Sequence, residues 1–186
     1  MVGPVQIDRG TLPEQSKLVR FELSVVPHMG AAYNLARWLT RNNHDAEDVV
    51  QEAYLRAYRF FDGFHGGDGR TWLLAIVRNT CYTWLRQNRK PSVELDDDIP
   101  ELDSGRSNPE ALLLRDMESE LLRQALDNLP VEYREAIVLR ELEGLSYKEI
   151  STIAGVPMGT VMSRLARARS RLEQALTKRA RQGGAA

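Results

Sequence analysis

The chain has 186 residues, 42% of them hydrophobic and 27% charged, which describes a soluble globular protein long enough for two small domains. A single cysteine, Cys81, excludes an intramolecular disulfide and suits a reducing compartment as an inert buried thiol. The start lacks a basic segment followed by an apolar run, and no stretch approaches the ~18 apolar residues of a span, so a cytoplasmic protein is expected. The net charge of −1 conceals segregation: residues 70–90 are basic without an acid, 92–103 acidic without a base, and 157–186 carry many arginines against Glu173 alone. Two basic zones separated by an acidic one suggest two DNA-facing surfaces.

Residues 1–13 mix Gly and Pro without periodicity and read as a loose tail, followed by a short helix from Pro13 to Ser24. Pro27 fits the first turn of the next helix, about 28–41, where Ala32, Leu35, Ala36 and Leu39 recur at helical spacing until Asn42-Asn43 breaks it. The third helix runs from Asp45 to Phe61 with acids at its start, where they favour the macrodipole. Ala46, Val49, Val50, Ala53, Tyr54 and Ala57 line one side, and Asp48, Gln51, Glu52 and Arg56 follow one another around the other. On periodicity alone this is a routine amphipathic helix. The glycine-dense loop 62–69 lacks a G-K-[ST] end, so a phosphate-cradling role is rejected. The next helix, Arg70–Asn88, interleaves Trp72, Tyr82 and Trp84 with arginines, which suits stacking on unpaired bases. Trp72, Leu73, Ile76 and Val77 read as core, leaving Asn79, Thr83 and Arg86 as polar candidates for base contact.

From Lys90-Pro91 to Asn108-Pro109 the chain is acidic, proline-punctuated and aperiodic, a flexible linker and domain boundary. The linker itself is not expected to pack the domains together, so 1–90 and 110–186 should each fold alone. Helical pattern resumes over 111–127, and Leu129-Pro130 opens a further helix with Pro at N1, closing at Gly144. Ser146 with Glu149 then forms a capping box for a helix bearing Ile150, Ile153 and Ala154. Gly155 supplies a left-handed C-terminal residue and Pro157 stops the helix, the punctuation of a helix-turn-helix. On the second helix, at about 100° per residue, Val161, Leu165, Ala168 and Leu172 form an inward stripe. Ser163, Ala166 and Ser170 lie opposite, flanked by Met162 on one side and Arg167 and Arg171 on the other. Small residues bordered by arginines can enter a major groove. The helix is expected to continue to Ala180, with a tail over 181–186. No strand pattern or internal repeat is present.

Three segments in this order resemble a bacterial sigma factor of the extracytoplasmic-function group. Residues 45–58 (DAEDVVQEAYLRAY) resemble its region 2.2, 72–79 (WLLAIVRN) its regions 2.3 and 2.4, and 129–150 with the run through Arg169 its region 4. The resemblance covers about residues 17–177. It implies an all-α chain of two small helical domains: sigma-2-like over 14–90, and a sigma-4-like helix-turn-helix domain over 110–180. The flexible acidic linker, 91–109, would lie as a polyanion mimic in a polymerase channel. Carried over by position, Asp48, Gln51, Glu52 and Leu55 would contact core RNA polymerase. Phe64, His65, Asn79, Thr83 and Arg86 would meet single-stranded −10 DNA, with a base flipped from the −10 element against the loop and Asn79. Thr160, Ser163, Arg164, Arg167 and Arg171 would read or hold the −35 element. Met162 departs from the Lys or Arg the family commonly carries there, which implies a shifted or narrowed −35 preference. The implied partners are core RNA polymerase, promoter DNA and an anti-sigma factor, with a monomer in their absence and no cofactor.

Two other classes compete. A stand-alone regulator using only the helix-turn-helix would be a dimer that ignores the polymerase. A hydrolase using the acids of 94–103 lacks a nucleophile–base pair, and His28, His44 and His65 have no ligand spacing.

Overall fold

The computed structural model describes residues 11–88 and 120–183, all of whose regular structure is helical. The expected linker 91–109, residues 1–10 of the expected tail and residues 111–119 of the expected helix 111–127 lie outside these residues.

The first unit contains α1 (Thr11–Ser24), a short 3-10 turn Val26–His28, α2 (Met29–Thr40), α3 (Asn43–Phe60) and α4 (Gly69–Gln87). The expected tail is shorter than read, because α1 already begins at Thr11. The α2–α3 corner forms as its residues dictate. Arg41 takes a left-handed conformation (φ 63°) to end α2, and the Asn42 side chain accepts the Asp45 N–H at 3.0 Å to start α3. Ala32, Leu35, Ala36 and Leu39 of α2 are fully buried against Ala46, Val49, Ala53 and Ala57 of α3. Small residues on that face of α3 let the two helices approach closely, which Leu at the same positions would prevent. Leu73, Val77 and Cys81 of α4 complete this core.

One end of the unit is sealed by aromatic rings. Phe21, Phe61, Phe64 and Trp72 meet with centroids 5.0–6.1 Å apart, and Tyr58 packs edge-on against Phe21. Phe64, expected at the single-stranded DNA, is thereby only 8% exposed and serves as core. Its side chain is turned inward because Phe61 and Trp72 offer it two apolar partners across the loop. Gly69 fixes the same corner: a Cβ there would stand 2.1 Å from the Ser24 carbonyl oxygen.

The second unit comprises α5 (helical over 120–127), α6 (Val131–Ile137) continued by a π-helical turn Val138–Leu142, α7 (Tyr147–Ala154) and α8 (Met158–Gly183). Pro130 occupies the N-cap of α6 (φ −51°, ψ 143°) and not N1, since its own ψ is extended and the helix begins one residue later. Gly144, where the helix was expected to close, follows the π turn with φ 68°, a left-handed conformation. α8 runs past Ala180 into the expected tail, to Gly183. The stripe Val161, Leu165 and Ala168 is buried to within 1%, and Leu172 packs partly against the same core.

The two units meet. α4 packs on α7 and α2 on α6, and the buried apolar residues of both belong to one continuous cluster. Although the linker was not expected to join the halves, their helices do so directly.

Gly69→Ala is expected to lower stability by about 1–3 kcal/mol, because a backbone oxygen cannot yield as a flexible side chain would. Gly159→Ala, with nothing within 4 Å, should be neutral or slightly stabilising. Urea unfolding of the two variants checks this, and equal effects would contradict it.

Candidate nucleic-acid interface

The helix-turn-helix is built by local bonds. The Ser146 side chain accepts the Glu149 N–H at 3.3 Å, and the Glu149 carboxylate accepts the Ser146 N–H at 2.7 Å, closing the capping box. Gly155 ends α7 at φ 65°, and the Ser151 hydroxyl donates to the Val156 carbonyl at 2.6 Å, tightening the turn. α8 then presents Met162, Ser163, Ala166, Arg167 and Ser170 to solvent, opposite its buried stripe. Arg167 has no side-chain partner among the described residues. The Ser163 hydroxyl donates back to the Thr160 carbonyl at 2.9 Å. Thr160 is half-buried, at the start of the helix. Arg171 is exposed but lies over the Tyr133 ring, 5.1 Å from its centroid.

Arg164 differs from the expectation. It is only 20% exposed and faces Glu135 at 3.7 Å, because position 164 flanks the buried stripe and not the outer face. Arg169, absent from the expected site, is held outward by Glu141 at 2.7 Å.

In the first unit His65 and Asn79 are exposed, as a base-contacting role requires, and the Asn79 side chain accepts from Arg78 at 3.2 Å. The Thr83 hydroxyl donates to the Asn79 carbonyl at 3.0 Å and accepts from exposed Arg86 at 3.3 Å. Asn79, Thr83 and Arg86 thus share one edge of α4, whereas Phe64 lies in the aromatic core. On α3, Asp48, Gln51, Glu52 and Leu55 are all exposed, Leu55 by 59%. Gln51 and Leu55 border an open apolar groove of about 670 Å³ floored by Met29, Tyr33, Val50 and Tyr54. Val50 and Tyr54, expected on the apolar side of α3, therefore line this groove and are only half-buried.

The basic edge of α4 meets acids of the second unit, which sequence reasoning missed. Arg78 Nε donates to Glu135 Oε1 at 2.6 Å and the Tyr82 hydroxyl donates to Glu135 Oε2 at 2.9 Å. Arg70 Nη2 donates to Glu143 twice, to Oε2 at 2.6 Å and to the carbonyl at 2.9 Å. Burial would lower the Arg78 pKa, but the adjacent Glu135 carboxylate outweighs it and raises it. Neighbouring Arg134, 3% exposed, is pushed down to about 10 by burial and by Arg41, against the attraction of Asp127. Among the described residues no group of His, Cys, Asp and Glu is placed to hold a metal ion, and no helix is long and apolar enough to cross a membrane.

Burial pushes the Cys81 thiol up from 9.0 to about 12 and the Tyr54 phenol up to about 12; burial, aided by Glu135, also raises Tyr82. Each group is therefore favoured neutral in the folded chain. The stability each confers is complete below its unfolded pKa and is lost as pH rises through the folded value. Urea stability should fall from about pH 9 upward. A midpoint unchanged between about pH 8 and about pH 11 would contradict this assignment.

Comparison with known proteins places these features in a family. Residues 25–90 match the model of sigma-70 region 2, and residues 119–172 match that of sigma-70 region 4. The chain is 36% identical over 172 residues to the ECF RNA polymerase sigma factor SigE of Mycolicibacterium smegmatis, covering 92% of this chain and 65% of that protein. It is 41% identical over 138 residues to the ECF RNA polymerase sigma-E factor of Escherichia coli, covering 69% of this chain and 72% of that one. Its fold resembles the sigma factor RpoE from Bartonella quintana, solved in complex with the anti-sigma factor NepR (TM-score 0.69, 28% identity, 85% of this chain and 97% of that one). It also resembles CnrH, solved with the cytosolic domain of CnrY (TM-score 0.60, 25% identity, 85% of this chain and 88% of that one). The order of helices, the capped helix-turn-helix and these matches together establish that the chain belongs to the extracytoplasmic-function RNA polymerase sigma factors.

Proposed function

We propose that the chain binds core RNA polymerase and directs it to promoters, as a transcription initiation factor and not an enzyme, in the cytoplasm. Residues 14–90 would bind the polymerase and the −10 element, and residues 110–180 the −35 element, with 91–109 as the link. The observation that carries this reading is the outer face of α8. Ser163, Ala166 and Ser170 are small enough for close approach to base edges, while unpaired Arg167 can reach a guanine or a phosphate. Exposed Met162 on its flank supplies an apolar contact in place of a charge.

Polymerase binding is assigned to Asp48, Gln51, Glu52 and Leu55, whose exposure leaves them no role in the core. The adjoining groove, apolar at its floor and rimmed by Glu47 and Gln51, suits an amphipathic helix. Single-stranded −10 DNA is assigned to His65, Asn79, Thr83 and Arg86, which leave Phe64 a supporting role beneath the loop. Arg164 lies against Glu135 within the second unit and would reach DNA only after leaving it. An anti-sigma factor is a fitting further partner, since the Bartonella sigma factor was solved with one.

Arg167→Ala should cost about 1–3 kcal/mol of promoter affinity if its contact to a base is bidentate. Equal losses on templates lacking the −35 element would reduce Arg167 to a diffuse charge. Leu55→Ala should weaken association with core RNA polymerase while shifting stability by less than about 0.5 kcal/mol. Co-elution with the polymerase reads it, and a dimer that ignores the polymerase would favour a stand-alone regulator.

A further inference from the structure

In a helix-turn-helix the N-terminal residues of the second helix are the ones that contact base edges. In this chain that stretch carries no charge: Gly155 through Ser163 contains neither an acid nor a base. Met158 and Met162 stand one turn apart there and are 49% and 50% exposed. Neither joins the apolar cluster of the core. The first charged side chain of α8, Arg164, is turned to Glu135, and exposed Arg167 lies on the opposite flank of the outer face. Ser163 adds little as a donor, since its hydroxyl already donates to the Thr160 carbonyl at 2.9 Å.

What two long apolar side chains can distinguish in a major groove follows from the chemistry of the groove. Every base pair presents hydrogen-bonding groups there, and the C5 methyl of thymine is the one apolar group on display. A methionine laid over guanine or cytosine would take polar groups out of water and return no hydrogen bond, which is costly. Over thymine it covers a methyl group and buries apolar area on both partners. The discrimination therefore has one direction, toward thymine. An unbranched thioether with three rotatable bonds also adapts to where the methyl lies.

We infer that Met162, with Met158 beside it, reads a thymine methyl group in the −35 element, where a basic side chain at 162 would favour guanine. The inference rests on the promoter-binding reading above and names a base that reading leaves open. Recognition is then divided between an apolar flank that reads a methyl group and an opposite flank where Arg167 supplies the charge.

The test uses the full chain in complex with core RNA polymerase and linear duplexes randomised over the length of a promoter. Affinity is measured on the selected duplex, with each thymine of its −35 element replaced in turn by uracil. This exchange removes the C5 methyl and leaves base pairing and every hydrogen-bonding group in place. At one position it should weaken binding of the parent about fourfold, the worth of one methylene group taken out of water. Met162→Ala, with helicity verified by circular dichroism, should bind thymine and uracil equally at that position. Met162→Leu, still long and apolar, should keep the dependence, and so should Arg167→Ala despite its weaker binding. A −35 element in which no thymine methyl matters, or a Met162→Ala variant that keeps the whole dependence, would overturn the inference. Failure of the complex to select any duplex would instead overturn the promoter-binding reading, and the inference with it.

Discussion

A carboxylate removed from water must be matched by donors, and Glu135 finds its donors in the other half of the chain. It sits on α6 among Ala136, Ile137 and Val138, all nearly inaccessible, so an unpaired charge there would be severely destabilising. Arg78 and Tyr82 satisfy it from α4, and this bond fixes how the two units face one another. The π turn after α6 matters for the same reason. By adding a residue to the turn it aims Glu143 at Arg70, while Gly144 and Leu145 lead back into α7. The relative placement of α4 and the second unit is thus set by two acids and two arginines together with the apolar cluster the units share.

Local features were legible in the sequence. The capping box at Ser146, the left-handed Gly155 and the stripe on α8 all follow from neighbours within a few residues, and they appear as read. The α2 core positions and the exposed acids of α3 are legible on the same ground, because helical period alone separates their faces. What was not legible was settled by distant contacts. Phe64 looked available in a glycine-rich loop, yet Phe61 and Trp72 draw it into the core. Arg164 looked like a DNA ligand by position, yet a carboxylate from α6 occupies it. Glu135 itself gave no sign: an acid within an apolar helix is indistinguishable from a solvated one until its partners are known. The charge segregation along the chain was a partial signal. It marked 70–90 as a basic edge, although part of that edge first meets protein.

The two interfaces differ in kind. α8, proposed to meet the −35 element, offers a formed surface whose outer face is already fixed by caps and core, so such binding would need little ordering. The α4 edge is partly occupied, its Arg78 by Glu135 and its Arg70 by Glu143. The face of α3 proposed for the polymerase is separate from both, since Leu55 and Gln51 remain exposed with the two units packed together.

The separation of α4 from α8 tests this account most directly. Spin labels on Gln87→Cys, at the end of α4, and on Gln174→Cys, an exposed position in the C-terminal half of α8, would report it in the full chain. The account predicts one distance in the free protein, set by the packing of the two units, and a longer one, toward the roughly 85 Å scale of the promoter elements, in complex with polymerase and promoter. A distance already long in the free protein, or one unchanged on forming the complex, would contradict it.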